Sequence, residues 1–309
     1  MCLDVFNFLE GAIDDKNKIN RPFVFNHSFA MRLSESDANR VNNFNKNKIV
    51  LWLNSGFQNK PNSLNIECLR ISVKSQVYKV TINKKRKIIF KCFKDEKNFL
   101  SEYLALKIFE REKSIAHVID SCEDSRYLVM EYLPRQFSPN SISYLDQIAF
   151  NLGMLHAYGR SAYNLLNILF PNKTEKKLLE SINELSWIKE KKYFEKALVL
   201  SIKYYDEKRV PLMIGDIKPE HVRLRKKEEI VFIDLETFSI GYPDYLDVLS
   251  LANFNVNQST FTKDIWFYLL KKYLTGKNQC EPSQKEIDLN YEIVSLMAQS
   301  LGFHEFFKR

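Results

Sequence analysis

Residues 213–249 read MIGDIKPEHVRLRKKEEIVFIDLETFSIGYPDYLDVL. A polar loop carrying Asp216, Lys218 and His221 precedes two apolar runs, and the second run, EIVFI, ends in another acid, Asp234. A lone aspartate in such a place is ordinarily a turn residue or a helix cap. Two aspartates at this spacing, with GYPDYLD directly behind them, read instead as one polar site, because a strand places the residue at its end rigidly.

Upstream the texture is that of a small sheet. LNIECLRIS, QVYKVTIN and KIIFKCF are short runs rich in β-branched and aromatic residues, with NKKRK as a polar turn between the second and third. They predict an antiparallel meander. DEKNFLSEYLALKIFERE follows, with Phe99, Tyr103, Leu106 and Ile108/Phe109 near helical spacing. HVIDSCEDSRYLVMEYL then reads as two more strands around a turn.

The second half of the chain is mostly helical. SYLDQIAFNLGMLHAYG is apolar on one face, with Gly159 as the expected C-cap. The lysine-rich stretch from about 175 to 208 predicts one or two amphipathic helices, and FTKDIWFYLLKKYLTG and QKEIDLNYEIVSLMAQSLG predict two more. Strands followed by helices make an α+β class. Residues 1–60 are rich in Asn and Lys. Within them SESDANRVNNF can start a helix with Ser34 as cap and Asp37 in its first turn, and KIVLWLN suits a strand or a helix.

Composition narrows the functional classes. With 309 residues and 45% hydrophobic content the chain can bury a sizeable core. The net charge of +8 suits anionic partners or a solvated lysine-rich surface. The charge is spread along the chain without a basic-aromatic motif, so no nucleic-acid partner is expected. Cys2, Cys68, Cys92, Cys122 and Cys280 form no CxxC pair, and a dispersed odd set predicts reduced thiols and a cytoplasmic location. MCLDVFNFLEG lacks the basic start of a signal peptide, and no apolar run is long enough to span a bilayer, so any membrane contact is expected to be peripheral.

GDIKPEHVRL…IVFIDLET resembles the catalytic and metal-binding loops of protein-kinase-like folds. GYPDYLDVLSLA resembles the segment that follows in the aminoglycoside phosphotransferase and choline kinase superfamily, with one extra residue, Leu246. The resemblance covers about residues 65–275. It implies a two-lobed protein-kinase-like fold, with a small antiparallel β lobe over 61–133, a helical large lobe over 134–309, and 1–60 as an extension. It further implies ATP and Mg²⁺ bound between the lobes and a small polar acceptor carrying a hydroxyl: a sugar, aminosugar, amino alcohol or antibiotic.

Phosphoryl transfer depends on positioning and charge neutralisation, which gives each matched residue a physical task. Asp216 would accept the proton of the acceptor hydroxyl. Asp234 would hold Mg²⁺, which prefers oxygen ligands. Lys91, inside a strand, would contact nucleotide phosphates, with Glu102 rather than Glu96 as its acidic partner. YLVMEYLPRQF resembles the hinge, so the adenine would meet backbone near Glu131 and Leu133, bordered by Met130. Lys218 would stabilise charge on the transferred group, and Asp247 would steady the catalytic loop.

Two features depart from the pattern. No glycine lies between Gly56 and Gly153, so the phosphate-covering turn ISVKSQVYKV would rely on Ser75 and Gln76, with charge from Lys74. His221 stands where a metal-binding asparagine is usual and is the second candidate metal ligand after Asp234, though an imidazole matches Mg²⁺ less well than an amide oxygen; an Asp followed five residues later by His also resembles lipopolysaccharide-core sugar kinases. That substrate class, a protein kinase and a non-catalytic pseudokinase are the alternative readings. His156 is expected to be structural.

Overall fold

The computed structural model describes residues 46–55, 61–136, 142–205, 208–225, 229–254 and 262–303. The expected cap at Ser34, with Asp37, lies outside the described residues. The described chain divides into two compact units. One comprises residues 46–136 together with 223–236, the other residues 142–222 together with 237–303.

The first unit is built on a five-stranded antiparallel sheet of order β1-β2-β3-β5-β4, where β1 is Leu64–Ile71, β2 Ser75–Ile82, β3 Arg86–Phe93, β4 Val118–Cys122 and β5 Tyr127–Glu131. Asn83 and Lys84 turn β2 into β3 with positive φ at both positions, the twist-matching geometry of a tight hairpin. Successive side chains of β3 face opposite sides of the sheet. Ile88, Phe90 and Cys92 face a core shared with Tyr78, Val80 and Val129, and the helix over residues 46–55 covers it with Ile49, Trp52 and Leu53. Burying a side chain such as Phe90 stabilises the unit by roughly 1.5–3 kcal/mol. KIVLWLN, ambiguous in sequence, is therefore helix, and the Trp52 indole N–H donates to Asp120 at 2.6 Å.

Lys91 belongs to the other face of β3, with Phe93. The helix Glu96–Ile108 follows directly, capped by Asp95, whose side chain accepts from the Asn98 N–H at 2.8 Å. Phe99, Glu102, Ala105 and Leu106 are buried. Glu102 lies three residues after Phe99 and four before Leu106, so helical spacing alone puts an acid on the apolar stripe.

The second unit is largely helical. Its longest helices are Ile142–Ser161, Lys191–Tyr205, Lys263–Asn278 and Gln284–Ser300, the last opening on a capping box between Ser283 and Glu286. The stretch expected as one or two helices is broken into a short helix Glu175–Glu180, a 3₁₀ turn Ile182–Glu184 and the helix Lys191–Tyr205. Among the chain's short strands, β6 (Arg135–Gln136), β8 (Val222–Leu224) and β9 (Ile230–Phe232) form a three-stranded sheet, and β7 (Leu212–Met213) pairs with β10 (Ser239–Ile240) in a two-stranded ribbon. Gly159 is not a C-cap: its helix continues to Ser161, and its φ is not positive. A Cβ there would lie 2.2 Å from the Val210 carbonyl oxygen, so the glycine serves the close passage of the chain that leads into β7.

Candidate functional site

In the sheet unit, four charged side chains converge. Lys91 Nζ lies 2.6 Å from Glu102, also contacts Asp234, and stands 3.4 Å from Glu236. The Lys91 and Glu102 side chains are only 4% and 1% exposed. β3 supplies the lysine, the following helix supplies Glu102, and the segment after β9 (Ile230–Phe232) supplies Asp234 and Glu236. Burial works against the charge on Lys91, but Asp234, Glu102 and Glu236 outweigh it and hold the ammonium well above its ordinary range. Burial pushes Glu102 up to about 7, with Lys91 pulling in the opposite direction.

Glu236 was absent from the sequence reading. It follows Asp234 by two residues, but Asp234 is left-handed and Glu236 lies in a turn beyond the strand, so strand alternation could not have paired the two acids. Carboxylate oxygens of Glu102, Asp234 and Glu236 all lie within 4.8 Å of one another. Oxygen donors at that spacing fit Mg²⁺, a hard cation that prefers oxygen ligands. Arg70, on β1, was likewise missed; its guanidinium lies 3.0 Å from Asp234. Its partner is 164 residues away in the chain, so no local pattern could have revealed the pair.

The turn between β1 and β2 holds together without glycine. The Ser72 hydroxyl accepts from the N–H groups of Lys74 (3.2 Å) and Ser75 (2.9 Å) and donates to the Ser75 carbonyl. Ser75 and Gln76 are buried, and Gln76 accepts a hydrogen bond from Tyr78 at 2.6 Å. Lys74 reaches Glu236 at 3.1 Å.

At the end of β5, Met130 is buried. The Glu131 N–H donates to the His117 carbonyl, and its carboxylate accepts from the His117 N–H and from Arg225. Burial pushes this carboxyl up, but Arg225 and the His117 N–H hold it below its ordinary value. The backbone from Tyr132 to Pro134, including Leu133, belongs to no strand.

In the helical unit, Asp216 follows β7 and Gly215. Both have positive φ, 40° for Asp216 and 76° for Gly215. Asp234, in the sheet unit, also adopts a left-handed φ, 62°. Non-glycine residues rarely adopt this region, and such conformations concentrate at functional positions. The Asp247 carboxylate accepts from the backbone N–H groups of Ile214 (2.5 Å) and Gly215 (2.8 Å), bracing the turn before Asp216. His156 Nε2 lies 2.9 Å from Asp247 and Nδ1 3.0 Å from the Tyr273 hydroxyl, so both ring nitrogens are engaged in the core.

Lys218 Nζ lies 2.9 Å from the Asp216 carboxylate, which is 42% exposed. His221 Nδ1 lies 2.8 Å from the Asp216 carbonyl and 3.7 Å from its carboxylate. The histidine therefore closes the loop on itself. Asp244, in the same GYPDYLD segment, is buried against Arg209 at 3.0 Å and against Lys277.

The fold is shared with solved structures of phosphotransferases. A choline kinase from Cryptosporidium parvum matches with a TM-score of 0.56 at 14% identity, over 84% of this chain and 87% of that one. An ethanolamine kinase from Plasmodium vivax matches with a TM-score of 0.53 at 15% identity, over 78% and 73%. A macrolide 2′-phosphotransferase from Brachybacterium faecium matches with a TM-score of 0.51 at 14% identity, over 83% and 91%. No family model matches the chain, and no curated protein sequence does. The chain thus has the protein-kinase-like α+β fold that the loop motifs resembled, at identities that speak to fold alone. Among the described residues no helix is long and apolar enough to cross a membrane.

Proposed function

We propose that the protein is an ATP- and Mg²⁺-dependent phosphotransferase acting on a hydroxyl of a small polar acceptor. The observation that carries this reading is the buried Lys91 ammonium, held by Glu102 on one side and by Asp234 on the other. A structural ion pair needs one acid. A lysine kept charged among three acids, one of them in a left-handed backbone conformation, is an arrangement suited to polyphosphate and its cation.

In this reading Lys91 binds phosphate oxygens of the nucleotide, and Glu102 fixes the lysine's position. Asp234 and Glu236 would hold Mg²⁺, which neutralises phosphate charge when bound. Asp216 accepts the proton of the acceptor hydroxyl as its oxygen bonds to the γ-phosphorus and the bond to the nucleoside diphosphate breaks. Lys218 balances charge on the transferred group. Asp247 positions the Asp216 turn through two backbone N–H groups. His221 supports the loop from the Asp216 carbonyl. Met130, Glu131 and Leu133 line the place for the adenine, where the backbone past Glu131 is free of strand pairing.

The acceptor remains defined as a class. The solved structures of like fold are named for choline, ethanolamine and macrolide substrates, which agrees with a small hydroxyl acceptor.

Calorimetric titration with ATP, with and without Mg²⁺, tests the reading. Magnesium-dependent binding that Asp234→Ala abolishes is the expected result. Absence of nucleotide binding by the wild-type protein under every metal condition overturns it and favours a kinase-shaped interaction module.

A further inference from the structure

The turn between β1 and β2 occupies the place of a phosphate-covering loop, yet it has no glycine, and its N–H groups at Lys74 and Ser75 are already used by the Ser72 hydroxyl. Recognition of phosphate by free backbone N–H groups, the usual service of a glycine-rich turn, is not available from these two positions. What the turn carries is charge. Arg70 lies just before it and Lys74 within it, and both side chains reach acids of the candidate site: Arg70 to Asp234 at 3.0 Å, Lys74 to Glu236 at 3.1 Å.

The charges balance. Glu102, Asp234 and Glu236 are matched by Lys91, Arg70 and Lys74. The three bases are not equivalent, however. The Lys91 side chain is 4% exposed and cannot leave its acids without stranding them in the core, whereas Arg70 is 49% and Lys74 34% exposed. Solvent can receive the two exposed bases when they leave, whereas Asp234 and Glu236, 11% and 9% exposed, need another cation in their place, so the two outer pairs are exchanged against a cation and not simply broken.

We propose that Arg70 and Lys74 are phosphate ligands of this site beside Lys91 and act by exchanging partners. Without nucleotide they neutralise Asp234 and Glu236. When a divalent cation takes those carboxylates, the two bases are released and turn to the phosphate oxygens of the nucleotide that arrives with it. Arg70 suits the role because a guanidinium can grip a phosphate through two parallel hydrogen bonds. The exchange makes cation and nucleotide cooperative, since each removes a competitor of the other. This inference rests on the nucleotide-binding reading above and adds to it the chemistry that replaces the missing glycines.

Arg70→Gln and Lys74→Gln separate the possibilities, with folding checked by thermal unfolding. Two quantities are measured: calorimetric affinity for ATP in saturating Mg²⁺, and the shift in Tm produced by Mg²⁺ alone. The expected result has opposite signs. ATP affinity falls about tenfold in each variant, as loss of a charged hydrogen bond predicts, while Mg²⁺ alone raises Tm at lower concentration than in the wild type. Arg70→Lys should fall between the two in ATP affinity. Unchanged ATP affinity in both glutamine variants overturns the inference and leaves the proposed function standing. So does weakening of both ligands together, which a purely structural role would produce. A wild-type protein that binds no ATP overturns the proposed function itself.

Discussion

Lys91 and Glu102 meet at 2.6 Å with both side chains almost fully buried. Removing one member of a buried pair leaves an uncompensated charge and costs about 3–5 kcal/mol. Lys91→Met should therefore lower unfolding free energy by about that amount, and adding Glu102→Gln should recover a large part of it. Urea unfolding of the two single variants and the double variant measures the coupling. Additive losses would show that the pair is not an energetic unit.

Asp216 has little structural work to do with its side chain, which is substantially exposed and touches Lys218 and His221 within its own loop. Asp216→Asn should leave stability and nucleotide affinity near wild type while turnover falls by about 10²–10⁴, the usual contribution of a general base. Single-turnover assay with a responsive acceptor measures the loss. An unimpaired rate would remove Asp216 from the chemistry.

Acid sensitivity should trace to Asp244. Burial alone would raise its carboxyl, but Arg209 and Lys277 hold it well below the usual carboxylate range. An acid depressed in the folded state contributes stability that is present above its unfolded value of about 3.9 and lost as pH falls through the folded value. The wild-type protein should lose stability steeply below about pH 4. Asp244→Asn should flatten that limb and be less stable at neutral pH, where Arg209 and Lys277 lose a shared carboxylate. Urea midpoints across the acid range test the slope.

Burial pushes the Cys92 thiol up to about 12, whereas Cys280 is exposed. Only the thiolate reacts with alkylating agents. Iodoacetamide at mildly alkaline pH should label Cys280 in the native protein and reach Cys92 only after unfolding, as peptide mass mapping would reveal. Rapid native labelling of Cys92 would mean that the core face of β3 opens.

The order of elements was legible in the sequence because its signals are local. β-branched alternation marks β1, β2 and β3, the apolar stripe Phe99–Leu106 marks a helix, and GDIKPEH…IDLET marks the loops by their short spacing. Even Glu102 could be placed on the buried stripe by helical arithmetic. Misreadings occurred where a neighbour distant in sequence decides. Gly159 reads as a helix stop, yet it is required by the approach of Val210. KIVLWLN has no unambiguous period, and it becomes helix because β2 and β3 offer an apolar face to cover.

The sequence by itself determined the fold class, the strand that carries Lys91 and the loops that carry Asp216 and Asp234, since periodicity and turn chemistry act within a few residues. Only the tertiary structure decided how those groups are charged and held. Glu236 and Arg70 joined the acid cluster, Ser72 rather than Ser75 organised the glycine-free turn, and Arg209 and Lys277 gathered around Asp244. Each of these depends on side chains meeting through space, and electrostatic partners are chosen by distance and burial, which the order of residues along a chain does not express.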